Sequence, residues 1–365
     1  MVVLGVNLLF ISPGFRGGTK RYVQGLIEAI AALGRCKMIL YVQEGAFRLD
    51  ATYPNVTYHE LPAMTSPWLR VLVEQLRLPF LVRKAGVDVL YSPGFVVPVF
   101  AGCPQIVTVH DFFFQKFPWL LRPAQRIYLR LFVGASLHAA KLITVVSDTT
   151  GRDVAKAFPS VRRKLLAILP GVPALTKLTS SVSARRANQP MVLFVGYITP
   201  IKNIAVLLAA MKLLLDRNIR CYLRVIGSDM FGLLRREMAA CGLPAELVDY
   251  TENATDEQLA EAYQTALCTV MPSLYEGFGL PVLEAMAYGC PVITSGEGAL
   301  REVANDAALY FSVSSPQSLA DAIVGLMNDE GHRDDLRRRG LENCRRFSWQ
   351  VSAARMMSEI ERLKL

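Results

Sequence analysis

The sequence predicts an α/β protein built from two doubly wound, Rossmann-like domains in tandem. Short apolar segments alternate with longer helical patterns along the chain, which is typical of a mostly parallel sheet covered by helices on both faces. The 365 residues exceed what one hydrophobic core usually supports, so two domains are expected. A segment rich in Ser, Thr and Pro at residues 170–190 interrupts the alternation and is the candidate linker.

Twelve apolar segments are expected to be strands, six on each side of the linker. They are residues 2–10, 37–42, 87–91, 105–110, 142–146, 166–169, 191–195, 222–226, 247–250, 267–271, 292–294 and 308–311. We place the domains at 1–180 and 190–346, followed by a C-terminal helix at 347–365 that crosses back to the N-terminal domain. Two helix starts have local signals: a capping box from Thr255 to Gln258, and Asn203 as an N-cap. Ligands bind at the carboxyl ends of parallel strands, so the active site is expected in a cleft between the domains.

The net charge of +9 is concentrated in the first half of the chain. Residues 1–180 carry 21 Lys and Arg against 9 Asp and Glu, whereas residues 181–365 carry 19 against 22. A basic half suits nucleic acid, anionic lipid or a phosphorylated substrate. Nucleic acid is disfavoured because the sequence has no recognition helix and no aromatic readout motif.

Cysteine usage and hydropathy indicate a cytoplasmic protein. The seven cysteines have no paired spacing, which is typical of reduced thiols. Residues 1–10 lack the basic start and cleavage site of a signal peptide, and no apolar run approaches the roughly 18 to 20 residues of a membrane span.

Residues 272–293 carry the most specific pattern of the chain. An apolar strand at 267–271 is followed by a loop with Gly277 and Gly279, and then by a helix with Pro281 in its first turn and Gly289 after its end. The free N–H groups and the dipole of such a helix start bind phosphate. Strand, glycine loop and helix therefore predict a phosphate-binding site.

Two carboxylates accompany this helix start. Glu276 lies in the loop, and Glu284 lies one turn inside a helix that is otherwise apolar. Because buried carboxylates are rare unless they are paired or functional, Glu284 is a candidate ligand-binding residue. Their separation along the chain indicates that the two carboxylates face different parts of one ligand.

Several other chemistries are disfavoured by missing motifs. The sequence has no Asp-x-Asp and no Cys/His cluster at ligand spacing, so no metal and no other cofactor is expected. Gly-x-x-x-x-Gly-Lys, Gly-x-Gly-x-x-Gly and His-Glu-x-x-His are also absent, which argues against a kinase, a dehydrogenase and a metalloprotease.

Taken together, these motifs resemble the family-4 retaining glycosyltransferases of GT-B fold, also called glycosyltransferase group 1. The resemblance covers nearly the whole chain. It rests on residues 276–284, Val195-Gly196, Lys202-Asn203, the tail at 301–308, and weaker matches at residues 17–22, 109–111 and 145–147.

The resemblance implies a role for each matching residue. Glu284 would bind the ribose hydroxyls of a nucleotide sugar, and Lys202 would contact the diphosphate. The donor sugar would be held by Glu276 and by the segment Gly277, Phe278, Gly279 and Leu280. Gly17 and Gly18 would let a loop approach the phosphates, and His110, at the end of its strand, would contact the donor sugar. Glu276, His110 and Lys202 are the candidate catalytic residues, with Glu276 stabilising a positively charged anomeric centre.

One position departs from the family pattern. Family members often carry Arg directly after the glycine of the phosphate loop, and this chain has Tyr197 there. Either Lys202 and the helix suffice for the diphosphate, or a cation such as Arg16, Lys20 or Arg301 substitutes.

The basic half is expected to meet the acceptor. Arg122, Arg126 and Arg130 repeat at helical spacing and form one face. Trp68 and Leu69 precede a segment containing Arg70, Arg77, Arg83 and Lys84. These features favour an acceptor site or a peripheral contact with the anionic inner face of a membrane, although an ordinary amphipathic surface helix has the same pattern.

The resemblance therefore implies a retaining hexosyltransferase that uses a nucleotide sugar. The best match is a mannosyltransferase that moves mannose from GDP-mannose to a glycan or lipid-linked glycan during polysaccharide or lipopolysaccharide assembly. Two alternatives stay open: the same enzyme class with a UDP-sugar donor, and a non-catalytic scaffold that binds nucleotide sugar or glycan lipid.

Overall fold

A computed structural model describes residues 1–64, 66–172 and 189–364. Within them the chain forms two compact units: Met1–Gly171 with Ser348–Leu365, called unit 1, and Val172–Phe347, called unit 2. Most of the predicted linker at 170–190, and with it the predicted boundary at residue 180, lies outside the described residues.

Each unit contains one parallel sheet. The described strands are β1 Val2–Asn7, β2 Cys36–Gln43, β3 Val56–Leu61, β4 Val89–Ser92, β5 Gln105–Val109, β6 Leu142–Val145, β7 Leu165–Ala167, β8 Met191–Val195, β9 Tyr222–Ile226, β10 Val248–Thr251, β11 Cys268–Met271, β12 Val292–Thr294 and β13 Leu309–Tyr310. In unit 1 the strand order is β3-β2-β1-β4-β5-β6-β7, and in unit 2 it is β10-β9-β8-β11-β12-β13. Neighbouring strands pair in parallel throughout, as in doubly wound sheets.

Helices connect the strands of both units. The described α-helices are α1 Gly18–Leu33, α2 Pro67–Leu72, α3 Leu78–Lys84, α4 Phe113–Lys116, α5 Pro123–Ala139, α6 Asp148–Ala157, α7 Ile204–Asp216, α8 Leu233–Cys241, α9 Asp256–Thr265, α10 Leu280–Ala287, α11 Leu300–Ala304, α12 Pro316–Asn328, α13 Glu330–Asn343 and α14 Trp349–Lys364. A π-helical turn, Val73–Arg77, joins α2 to α3. Among the described residues, no helix combines the length and apolarity needed to cross a bilayer.

The two sheets confirm the predicted fold class, and the strand predictions differ most from the structure at β3 and β1. The prediction missed β3, an edge strand in which exposed and half-buried residues alternate, because it has no apolar run. It also extended the first strand to residue 10. The strand ends at Asn7, whose side-chain oxygen accepts a hydrogen bond from the Leu9 backbone N–H at 3.2 Å and turns the chain.

Helix α14 belongs to unit 1, where it packs on α1. The Trp349 ring lies so close to Gly25 of α1 that a Cβ at position 25 would collide with it. The hydroxyl of Ser352 donates to the backbone oxygen of Leu169 at 2.6 Å. A glycine in α1 therefore lets the last helix complete the core of unit 1.

Candidate functional site

The predicted strand, glycine loop and helix are present in unit 2 as β11, residues 272–279 and α10. Gly279 precedes α10 with φ +99°, and a Cβ there would lie 2.7 Å from the Leu300 side chain. Pro281 lies in the first turn of α10, and Gly289 follows its last turn with φ +69°. Glycine is needed at 279 both for the backbone conformation and for the close approach of Leu300.

The Glu276 carboxylate lies in a small polar network. Its Oε1 accepts hydrogen bonds from Lys202 Nζ at 2.5 Å and from the Ser273 hydroxyl at 2.6 Å. Both charged side chains are largely shielded, with 21% of Lys202 and 12% of Glu276 exposed. Partial burial strengthens the attraction between them, because less water screens it.

The backbone around Glu276 is held by the loop that follows β12. The N–H of Ala299 donates to the Glu276 carbonyl at 2.9 Å, and a Cβ on Gly298 would lie 2.6 Å from the Glu276 nitrogen. The Ser295 hydroxyl donates to the carbonyl of Ser273 at 2.7 Å. Two loops at the carboxyl edge of the sheet therefore fix both the backbone and the side chain of Glu276.

Glu284 lies inside α10 and is buried, with 3% of its surface exposed. Its Oε2 accepts a hydrogen bond from the hydroxyl of Tyr263 in α9 at 2.9 Å. The Tyr263 ring stacks on Tyr288, with centroids 5.7 Å apart and planes 11° apart. The sequence predicted the burial of this carboxylate, and the structure adds its tyrosine partner.

Lys202 ends a 3₁₀ turn, Pro200–Lys202, that precedes α7. Gly196 and Gly227 directly follow the neighbouring strands β8 and β9, and a Cβ on Gly227 would collide with the Gly196 carbonyl. The role predicted for the Asn203 side chain was wrong. Asn203 occupies the N-cap position of α7 in a left-handed conformation, but its amide donates to the carbonyl of Val313 at 3.1 Å rather than capping the helix.

The other donor-binding residues predicted in unit 2 lie in the same loop. Phe278 is buried, and its ring packs edge-on against Phe347 with centroids 5.6 Å apart. Gly277 is also buried, and Leu280 is the first residue of α10. Ser273 and Tyr263 were missed by sequence reasoning. Ser273 lies within the segment 272–293, and its bond to Glu276 depends on how the loop folds, whereas Tyr263 reaches Glu284 from a different helix through tertiary packing.

In unit 1, Gly17 and Gly18 lie at the start of α1. Gly17 is the N-cap residue with φ +107°, a conformation that favours glycine, and Gly18 is the first helical residue. The 16-residue helix α1 therefore begins at two glycines, of which Gly18 is exposed and Gly17 half-buried, and their approach to the phosphates stays a prediction.

His110 directly follows β5 and is 8% exposed. Its Nε2 lies 2.5 Å from the carbonyl of Pro93, and because a carbonyl only accepts, Nε2 carries the proton. The Tyr22 ring meets the imidazole edge-on, with centroids 5.1 Å apart. Burial lowers the pKa of His110 to about 4, although the hydrogen bond to Pro93 opposes the shift. At neutral pH His110 is therefore uncharged, with Nδ1 as an acceptor.

Arg122, Arg126 and Arg130 are all exposed on unit 1. Arg122 immediately precedes α5, and the guanidinium of Arg126 donates to the carbonyl of Pro118 at 2.7 Å. Their roles toward an acceptor or a membrane stay predictions.

At the position of the absent family arginine, Tyr197 is 37% exposed. Arg301 lies in α11, two residues after Ala299 in the chain. Its guanidinium lies over the Tyr310 ring, 4.1 Å from the centroid. Of the three candidate replacement cations, Arg301 is therefore the one that shares unit 2 with Glu276. Over the described residues, His, Cys, Asp and Glu side chains form no group of three able to hold a metal ion.

Two family models match the chain in adjacent segments. The model described as Glycosyltransferase Family 4 matches residues 16–174, and the model described as Glycosyl transferases group 1 matches residues 177–343. The O-antigen chain mannosyltransferase B of Escherichia coli is 30% identical over 302 residues, which is 77% of each chain. An MMP alpha-(1->4)-mannosyltransferase of Mycolicibacterium hassiacum is 26% identical and covers 93% of this chain and 88% of its own.

The fold is also found in solved structures. The sucrose-phosphate synthase of Thermosynechococcus elongatus superposes with a TM-score of 0.81 at 24% identity, covering 100% of this chain and 99% of that protein. The two Rossmann-like units have the GT-B fold, and the matching family models are those of glycosyltransferases. The chain belongs to the group 1 and family 4 glycosyltransferases.

Proposed function

We propose that this glycosyltransferase transfers mannose from GDP-mannose, with retention of anomeric configuration, to a glycan or lipid-linked glycan of a surface polysaccharide. The hydrogen-bonded set Lys202, Glu276 and Ser273 carries the proposal for the reaction. The choice of mannose and of O-antigen-type assembly is supported by the 30% identical relative, which is named an O-antigen chain mannosyltransferase.

In the proposed reaction, the bond between the anomeric carbon and the diphosphate oxygen breaks as an acceptor hydroxyl attacks from the same face. The hydroxyl proton passes to the departing diphosphate oxygen, so the products are GDP and the extended glycan. Negative charge develops on the diphosphate, where the Lys202 ammonium and the N–H groups that begin α10 would stabilise it. The carboxylate of Glu276 would stabilise the positive anomeric centre without forming a covalent bond.

Glu284 is proposed to accept hydrogen bonds from the ribose hydroxyls. Its burial and its bond to Tyr263 favour this role, because a carboxylate fixed in one orientation loses little entropy when it binds a diol. We propose that no metal participates, since Lys202 and the helix start can supply the positive charge at the diphosphate.

The donor is tested first by thermal shift with GDP, UDP, ADP and their common sugars. A ligand that binds only the folded protein raises its melting temperature, so GDP and GDP-mannose should stabilise the protein selectively. Selective stabilisation by a UDP-sugar would replace the donor. Acceptor-dependent release of GDP, with and without a chelator, then tests turnover and metal independence. Nucleotide binding without turnover would favour the scaffold alternative.

We also propose that unit 1 rests on an anionic membrane surface. Along α2, the π-turn and α3, large apolar side chains are exposed: Trp68 by 62%, Leu72 by 57%, Leu76 by 69% and Phe80 by 65%. On α5, Ile127 and Leu131 are exposed by 60% and 63%. We call these six residues the apolar face.

The apolar face is interspersed with cations and is continuous across the helices. Trp68 and Tyr128 of α5 pack edge-on with centroids 5.8 Å apart. Arg77, Arg83, Lys84, Arg126 and Arg130 are exposed on the same helices. Exposed apolar side chains among cations favour an anionic bilayer.

Flotation with vesicles tests this attachment. We expect binding to vesicles that contain phosphatidylglycerol, weakening as salt rises, and little binding to vesicles of phosphatidylcholine alone. A Leu76→Ser, Phe80→Ser variant should lose binding, whereas Val351→Ser, on an equally exposed apolar residue of α14, should not. Absence of binding at low salt would refute the attachment.

A further inference from the structure

A second concave site lies in unit 1 at the edge of the sheet opposite to His110. It is a groove of about 770 Å³ between α3, the loop before β5 and the end of α5. Gln105, the first residue of β5, lies in its wall, whereas His110 follows the last residue of the same strand. Five strand residues separate the two edges by roughly 16 Å. The groove is therefore distinct from the site that contains His110.

The chemistry of the groove is cationic and apolar. Arg83 and Lys141 are exposed cations in its lining, and the described lining residues include no Asp or Glu. Asp88 is an acid that acts electrostatically on Cys103 of the groove. Its carboxylate is already bound by the Val3 N–H at 2.8 Å and by Lys364 Nζ at 2.9 Å. The groove therefore has unbalanced positive charge, which suits an anion.

Two aromatic side chains border the groove on its outer side. Phe80 and Phe100 are exposed by 65% and 86%. The loop that carries Phe100 is fixed to the π-turn by the Gln75 amide, which donates to the carbonyl of Val97 at 3.0 Å and accepts from the N–H of Val99 at 2.9 Å. Because Phe80 also belongs to the apolar face, the groove borders that face. An apolar border gains nothing from a freely soluble phosphate, whereas it can bury the acyl chains of a lipid.

The groove wall also contains a polar atom without a partner. Gln105 is 4% exposed, and its Nε2 donates to the carbonyl of Pro98 at 2.8 Å. Its Oε1 is buried, and in the described part of the chain nothing donates a hydrogen bond to it. A buried acceptor of this kind costs free energy until a donor binds it. A hydroxyl group of a ligand is a suitable donor.

We propose that this groove binds one anionic phospholipid with a hydroxylated headgroup, such as phosphatidylglycerol. The phosphate pairs with Arg83 and Lys141, a headgroup hydroxyl donates to Gln105 Oε1, and the acyl chains lie against Phe80 and Phe100. Binding is non-covalent: burial raises the pKa of the nearby Cys103 thiol to about 11, so it is protonated and unreactive. The inference deepens the proposed membrane attachment by assigning it a specific lipid site.

The first test compares two doubly neutralised variants of the full chain in vesicle flotation. Arg83→Gln with Lys141→Gln removes both groove cations, whereas Lys37→Gln with Arg355→Gln removes two exposed cations of unit 1 that do not line the groove. A cation near an anionic surface contributes about fivefold to binding, so the groove variant should lose about 30-fold. The control variant should lose little, because neither of its cations lines the groove.

The second test needs no bilayer. Dihexanoyl phosphatidylglycerol below its micelle concentration should raise the melting temperature of the wild-type protein but not that of the groove variant. Dihexanoyl phosphatidylcholine, which lacks the headgroup hydroxyls and the net charge, should have a much smaller effect, as should inorganic phosphate. Gln105→Glu should weaken the response as well, since it places a negative charge beside the phosphate.

The outcomes separate the groove from the membrane attachment. If the wild type floats but both double variants lose binding equally, the attraction is a general surface effect and the lipid site is wrong while the attachment stands. If the protein fails to float yet responds selectively to the short-chain lipid, the attachment is wrong and the site stands. Failure of both tests overturns both proposals.

Discussion

The hydroxyl of Tyr263 donates a hydrogen bond to Glu284 Oε2 at 2.9 Å, which links the last turn of α9 to the buried carboxylate of α10. This bond fixes the orientation of the residue proposed to bind the ribose. Removing the hydroxyl leaves a buried carboxylate without one of its donors, a loss worth about 1 to 2 kcal/mol.

Tyr263→Phe should therefore weaken donor binding by about 5- to 30-fold while changing kcat little, because only ground-state positioning is lost. Isothermal titration with the nucleotide sugar gives the affinity, and steady-state kinetics gives kcat and KM. Tyr250→Phe removes the hydroxyl of an exposed tyrosine of unit 2 and is the matched control. A fall in kcat with unchanged affinity would contradict the positioning role.

For the ion pair between Lys202 and Glu276 we expect substitutions to lower kcat, in contrast to the loss of affinity expected for Tyr263→Phe. Lys202→Met should lower kcat by about 100-fold or more, because the lost charge acts on the developing diphosphate. Glu276→Gln should lower kcat with little effect on donor affinity, whereas Glu284→Gln should mainly weaken that affinity. Acceptor-dependent GDP release measures all three. Equally small effects at both glutamates would refute the assignment of their roles.

Arg301 is expected to supply the cation that the family usually places at position 197. Arg301 lies in α11, the helix that follows the loop whose Ala299 N–H binds the Glu276 carbonyl. Its guanidinium stacks on the Tyr310 ring. Arg301→Gln should raise KM for the donor by about tenfold, the equivalent of 1.4 kcal/mol. Arg345→Gln, an exposed arginine elsewhere in unit 2, should leave KM unchanged. If both variants behave alike, Lys202 and the helix start suffice.

His110 predicts a pH dependence of stability. Its pKa is about 4 in the folded protein against an ordinary value of 6.5, so between these values the unfolded state binds more protons and stability falls as pH falls. At pH 5 the loss is about 2 kcal/mol. His110→Gln should reduce the difference in denaturant stability between pH 7 and pH 5, and His138→Gln, an exposed histidine, should not. An unchanged pH profile would refute the low pKa.

For Glu74 we expect the opposite dependence of folding stability on pH. It is buried in the π-turn beside Asn7 and Arg70, and burial raises its pKa to about 7 from an ordinary 4.5. The folded state then binds more protons between these values, so stability is lost as pH rises, by about 3 kcal/mol at pH 8. Glu74→Gln should stabilise the protein at pH 8 relative to wild type and gain little at pH 5. Exposed Glu60→Gln is the control.

Sequence reasoning located most of the strands because parallel strands buried on both faces are continuous apolar runs. The same reasoning missed β3, since an edge strand with one exposed face loses that signal. Of the two helix caps predicted from the sequence, one was confirmed and the other was wrong about its side chain. The box at Thr255 and Gln258 is present, with hydrogen bonds of 2.9 and 3.3 Å, whereas Asn203 found a tertiary partner in Val313.

The sequence by itself determined the two-sheet fold, the succession of strand, glycine loop and helix around Glu276 and Glu284, and the uneven charge, because these depend on the order and spacing of residues along the chain. Only the tertiary structure decided that Ser273 and Lys202 share one oxygen of Glu276, that Tyr263 holds Glu284, and that Gln105 lacks a donor. The Lys202–Glu276 and Tyr263–Glu284 pairs join elements distant in the chain, and packing, which no local pattern encodes, brings them within hydrogen-bonding distance.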